Sequence, residues 1–65
     1  MEKKNNTLLP KYQPITAFLK GQASKLFKEV NENDDVIIVN KQSKPYTVVI
    51  SYERYIKLKN DGADI

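Results

Sequence analysis

The sequence predicts a small α+β domain of element order (β)-α-β-β-α, and three observations carry that prediction. Apolar residues recur at helical spacing from Ile15 to Val30, two β-branched runs follow at Val36–Val39 and Thr47–Ile50, and Ser51 opens a second, shorter helical pattern. Few residues are left between these elements, so the 65-residue chain has material for one thin sheet with little cover.

Residues 1–12 read as a flexible basic arm: they are polar, and Leu8 and Leu9 are too few to anchor a helix. Pro10 and Pro14 bracket Lys11, Tyr12 and Gln13, and Pro14 biases Gln13 toward extended geometry. A short edge strand ending near Ile15 is therefore expected.

The first helix is carried by Ile15, Phe18, Leu19, Gln22 or Ala23, Leu26, Phe27 and Val30, an amphipathic stripe with Thr16 as the expected N-cap. Lys20, Lys25 and Lys28 fall off the stripe and face outward. Gly21 interrupts the pattern at a cost of about 1 kcal/mol relative to alanine. Two readings stand: a tolerated defect, or a bare backbone needed for close approach of another helix or a phosphate.

Asn31 to Asp34 stops the helix, and the adjacent carboxylates Asp34 and Asp35 read as a helix-exit turn. The two β-branched runs form a hairpin whose polar tip, Asn40 to Pro45, contains Lys41 and Lys44. Pro45 cannot donate to a central ladder. Both strands are apolar on both faces, so the sheet needs two covers, the first helix and something else. A second copy of the chain is the simplest second cover. The expected dimer or core positions are Phe18, Leu26, Phe27, Val30, Val36, Ile38, Val48 and Ile50. In the second helix Ser51 is the expected N-cap, Glu53 complements the dipole in the first turn, and Gly62 marks the stop.

Composition narrows the function. A lone core of this size rarely supplies more than ~3–5 kcal/mol. With no cysteine and no histidine, disulfides and thiolate metal sites are excluded, and the commonest metal ligand and acid–base catalyst is missing. Oligomerisation remains, with a homodimer as the default closed form. The net charge of +3 lies in residues 1–33, where six lysines face three glutamates; residues 34–65 carry five charges of each sign. Two copies double the basic half, which favours a polyanion such as DNA. There is no apolar run long enough to span a membrane and no secretory h-region, so a cytoplasmic protein is expected. No nucleophile–base pair, glycine-rich phosphate loop or ligand cluster is evident, so neither catalysis, a metal nor a cofactor is expected, and no small-molecule substrate.

The stretch from Ile15 to Leu58 resembles the Phd/YefM (prevent-host-death) antitoxin family. The resemblance is carried by the Ile15-Thr16 entry, the Lys20-Gly21 pair, the Ala23-Ser24-Lys25-Leu26-Phe27 helix, the Val36–Val39 strand, the lysine-rich turn, the Thr47–Ser51 strand leading into a helix, and Tyr55. It implies an α+β DNA-binding domain that dimerises through its sheet, represses its own operon, and neutralises a partner toxin through a C-terminal extension. Residues 13–51 then form the DNA-binding and dimerisation domain, and residues 52–65 a C-terminal helix and short tail. The DNA-contacting positions fall at the helix start on Lys20, with Leu19 as the alternative if the alignment slips by one, and in the turn on Lys41. Lysine stands where the family often has arginine; a point charge favours phosphate contact over bidentate base reading. About ten residues follow Tyr55, fewer than the family usually has. This leaves a shortened toxin-binding segment, a truncated chain, or a regulator without a toxin.

The joint DNA surface expected is Lys20, Gln22, Lys25, Lys41, Gln42, Ser43 and Lys44, the amides and hydroxyl supplying neutral hydrogen bonds. Lys3, Lys4 and Lys11 on the arm read first as solubilising. Tyr52, Tyr55, Ile56 and Leu58 are the candidate toxin-binding positions, with packing of Tyr55 on the sheet as the simpler reading. The rival function is a small protein-interaction module or inhibitor, of phage or plasmid type, that keeps the scaffold without binding DNA.

Overall fold

The computed structural model describes residues 9–65 and contains a three-stranded mixed sheet with helices in the order expected. Strand β1 (Lys11–Pro14) leads directly into α1 (Ile15–Ala17), a broken stretch (Phe18–Gln22) and α2 (Ala23–Asn33). The hairpin β2 (Ile37–Lys41) and β3 (Lys44–Val49) follows, then α3 (Tyr52–Asn60). The strand order is β1-β2-β3, with β1 parallel and β3 antiparallel to the central β2. Parallel pairing needs a long crossover, which the α1–α2 helical stretch supplies.

The edge strand before the first helix is present, but it begins at Lys11, so Lys11 and Tyr12 belong to the sheet rather than to the arm. The Lys11 amide donates to the Val36 carbonyl at 2.8 Å, and its ammonium pairs with Asp35 at 2.9 Å. That hydrogen bond, and then the carboxylate's charge, raise the Lys11 pKa above the ordinary lysine value. The tie is therefore fully present at neutral pH and is lost only as pH rises through the raised value. Lys3 and Lys4 lie outside the described residues.

The helical stripe folds as a broken helix. Lys20 (φ −97°, ψ 24°) and Gly21 (φ 88°, ψ 10°) leave helical geometry, and α2 restarts at Ala23. A Cβ built on Gly21 meets nothing within 4 Å. Gly21 is therefore not a tolerated defect inside a continuous helix: it serves a left-handed backbone conformation that other residues adopt at a cost of roughly 1–2 kcal/mol, and no neighbour within the described chain crowds it. The N-cap of the first turn is Pro14, not Thr16, and no side chain caps it. Proline supplies the extended backbone and has no amide to satisfy. Helix α2 runs through Asn33 and ends on Asp34 in the left-handed region (φ 56°).

Leu26 and Val30 of α2 bury against Ile37 and Val39 of β2, with Ile15, Ala17, Phe18 and Val49 packed around them. Of the strand positions expected at the dimer or core, Ile38 and Val48 are therefore not in the core, which takes the opposite parity. Ile37 and Val39 point to the helices, whereas Ile38 and Val48 point away, and Val48 is 56 % exposed. Val36 and Ile50 lie just outside β2 and β3 and are half-buried. Four consecutive β-branched residues carry no period-2 signal, so the run itself does not say which face is inside. Phe27 is also no core residue: it is 45 % exposed, its ring 5.7 Å from that of Phe18.

The polar tip is much tighter than a six-residue loop. Lys41 pairs with Lys44, and only Gln42 (φ 54°) and Ser43 (φ 65°) turn the chain. Positive φ at both central residues is the type I′ geometry, which matches strand twist but is usually built with Asn-Gly. The register shifts by one at Val39/Asn40, where Tyr46 is the extra residue.

Gly21→Ala should lower unfolding stability by about 1–2 kcal/mol, because the added Cβ strains the left-handed conformation. Urea unfolding followed by circular dichroism checks this, and an unchanged midpoint would contradict the conformational role assigned to Gly21.

Candidate nucleic-acid interface

The two basic segments are positioned by the topology. Pro14, the last residue of β1, pairs with Asn40 near the end of β2, so α1 begins at the hairpin-tip end of the sheet. A small groove of about 270 Å³ lies there, with Gln13 and Thr16 on one wall and Gln42 and Ser43 on the other. The tip and the helix start thus stand side by side.

All seven expected DNA-contacting residues are exposed. Gln42 and Ser43 line the groove, and Lys41 and Lys44 flank it in the paired strand ends. The Lys41 ammonium lies 5.0 Å from the centroid of the Tyr46 ring, within cation–π range. Lys20 sits at the helix break and Gln22 precedes α2 without using its side chain as a cap. Lys25 follows on the first turn of α2. No described contact joins Lys20, Gln22 or Lys25 to the hairpin tip; what brings helix and tip together is the β1–α1 junction, through Gln13 and Thr16. Sequence reading missed those two. Their only signal is a place within two residues of Pro14, which aligns with Asn40 after folding.

The second helix begins as expected. Ser51 is buried, and its hydroxyl accepts from the Arg54 amide at 3.0 Å; Glu53 lies in the first turn. The helix ends at Asn60, and Gly62 takes positive φ (107°) just beyond. Among the candidate toxin-binding residues, Tyr52 is 74 % and Leu58 39 % exposed, while Tyr55 and Ile56 are half-buried. No α3 residue is fully buried.

What fastens α3 is an ion pair that the sequence did not disclose. Arg54 Nε donates to Asp34 Oδ1 at 3.0 Å and its Nη2 to Oδ2 at 2.7 Å; Nη2 also reaches the Asp34 carbonyl at 3.2 Å. The fork geometry suits arginine and not lysine. Asp34 and Asp35 thus do more than exit a helix: one holds α3, the other β1. Between the end of α2 and α3 runs an open groove of about 630 Å³, whose acidic members include Glu32, Glu53 and Asp61. Among the described residues, no three His, Cys, Asp or Glu converge on a metal-sized site. No described helix is long and apolar enough to cross a membrane.

No family model matches the chain, and neither a curated protein nor a solved structure matches it.

Arg54→Met should loosen α3 specifically. With the pair partly exposed, a loss of about 1 kcal/mol is expected, read as faster hydrogen exchange of the 52–60 amides while the β2 amides keep their protection. Equal acceleration in both would show that the latch serves the whole domain instead.

Proposed function

We propose that the chain is a Phd/YefM-like antitoxin: a cytoplasmic, homodimeric repressor of its own operon that binds operator DNA and neutralises a cognate toxin. The observation that carries this reading is the basic, tight hairpin tip set beside the start of the broken first helix. Lys41 and Lys44 are exposed at the strand ends, and Gln42 and Ser43 project between them. A rigid two-residue turn loses little entropy on binding, and its lysines supply phosphate contacts that position the protein on a duplex. Lys20 and Lys25 add charge from the helix side. The uncharged side chains of the groove, Gln13, Thr16, Gln42 and Ser43, offer neutral hydrogen bonds to phosphate or base edges.

Two copies are needed in this reading because one hairpin tip covers too little DNA for tight binding and because one sheet face carries apolar residues in the open. Tyr12, Ile38 and Val48 stand in register across β1, β2 and β3 on the face turned away from the helices. Tyr12 is 58 % and Val48 56 % exposed. Helix α3, held to the domain by Arg54 and displaying Tyr52 and Leu58, is the element offered to a toxin.

A second reading has one observation in its favour. The same row, with Tyr12 and Val48 exposed on either side of the half-buried Ile38 and Tyr52 exposed elsewhere on the surface, suits a protein-interaction module that does not touch DNA.

A gel-shift titration against the DNA upstream of the chain's own reading frame separates the two. With about three phosphates neutralised per protomer, the slope of log K against log salt should be near −5. Replacing Lys41 and Lys44 together by alanine should bring it to about −2. Absence of any binding at low salt would contradict the repressor reading and leave the interaction module.

A further inference from the structure

The hairpin tip concentrates local costs. Lys41 and Lys44 stand directly opposite each other at the strand ends, and like charges in that relation destabilise a hairpin. Gln42 (φ 54°) and Ser43 (φ 65°) both hold left-handed backbone conformations without being glycine, a strain that persists only where the surrounding structure enforces it. Two cations are thus presented side by side on a tight turn.

The register shift sets this up. The pairs Ile37–Val49, Ile38–Val48 and Val39–Thr47, continued without interruption, would place Asn40 opposite Tyr46 and Lys41 opposite Pro45. Instead Pro45 faces Asn40, Lys44 faces Lys41, and Tyr46 is left over as the bulge. A bulge frees its extra residue from pairing and re-aims the side chain. Here the freed ring meets the Lys41 ammonium, which lies 5.0 Å from the ring centroid. The same tyrosine is 62 % exposed, so its ring adds little to the core.

We propose that Tyr46 is a positioning residue for DNA binding: its ring holds the Lys41 ammonium ready for a phosphate of the duplex, and the bulge is the device that puts the ring there. The inference rests on the DNA-binding reading above and adds what orders one of its cations. An unsupported lysine gives up rotamer freedom when it docks on a phosphate, and repulsion from Lys44 turns it toward solvent. A lysine already resting on an aromatic face has lost part of that freedom before the DNA arrives. The contact also leaves the ammonium competent. It carries three N–H donors, and a ring on one side leaves the others free for phosphate oxygens.

A double-mutant cycle on the full chain tests this, with DNA from upstream of its reading frame as the probe and circular dichroism to establish that each variant is folded. Tyr46→Leu should weaken binding about tenfold, the two tips of a dimer acting together, and leave the salt slope as it was. Tyr46→Phe, which keeps the ring, should bind as the wild type does. Lys41→Ala should instead bring the slope from near −5 to about −3.5, and adding Tyr46→Leu to it should cost nothing more. In the free protein, the Lys41 side-chain methylene protons should show a ring-current shift in the wild type and Tyr46→Phe that Tyr46→Leu abolishes. Wild-type binding that Tyr46→Leu does not change, that Tyr46→Phe weakens equally, or that Tyr46→Leu still weakens beside Lys41→Ala would overturn the positioning role and leave the repressor reading standing. A wild type that binds no DNA at low salt would overturn both.

Discussion

Packing of Leu26 and Val30 against Ile37 and Val39 is the contact through which the helices and the sheet hold each other, and each remaining element takes its place from it. All four side chains are at most 4 % exposed, and among the described residues they form the whole of the fully buried apolar core. Because β2 is central, fixing it fixes β1 and β3 by hydrogen bonding, and through the Pro14–Asn40 register it also fixes where α1 begins. Among the described residues, the α1–α2 helical stretch covers one face of the sheet. A domain with four core side chains has little stability in hand, so the uncovered face is as much a feature of the energetics as of the shape.

The residues outside this core are held by discrete polar devices rather than by burial. Gly21 breaks the helix without straining it, so that Ile15 and Phe18 before the break and Leu26 and Val30 after it all reach the sheet. Asp35 ties down the start of β1, and Asp34 clamps α3 through Arg54. Ser51, two residues beyond β3, caps the start of α3 through the Arg54 amide. Each device acts at a junction between elements. That arrangement lets α3 differ in local stability from the sheet.

Much of the fold was legible because local chemistry and tertiary structure agree. The Ser51 cap and the Pro14-biased edge strand appear where their residues place them, the two β-branched runs supply most of β2 and half of β3, and the helical stripe is present but broken at Lys20 and Gly21. What was not legible depends on partners distant in sequence. The inward face of β2 could not be chosen, since Val36 to Val39 is apolar at every position and only the bulge and the helix contact decide parity. Gln42 and Ser43 gave no sign of a two-residue turn, because their positive φ is imposed by strand pairing rather than by glycine or asparagine. Arg54 meets Asp34 across twenty residues, and nothing local announces the pair. At the candidate interface, the exposure of Lys20, Lys25, Lys41 and Lys44 was readable from their places outside the apolar pattern. The nearness of the tip to Gln13 and Thr16 was not, because it follows from parallel pairing of β1 with β2.

In the proposed homodimer a second copy completes the open sheet face, so that folding and association are linked. Mass action then ties the melting temperature to protein concentration. Thermal unfolding from about 1 µM to 1 mM should show a midpoint that climbs steadily with concentration, by several degrees across the range. A midpoint identical at both ends of that range would mean that a single copy holds its fold unaided, and would contradict the account.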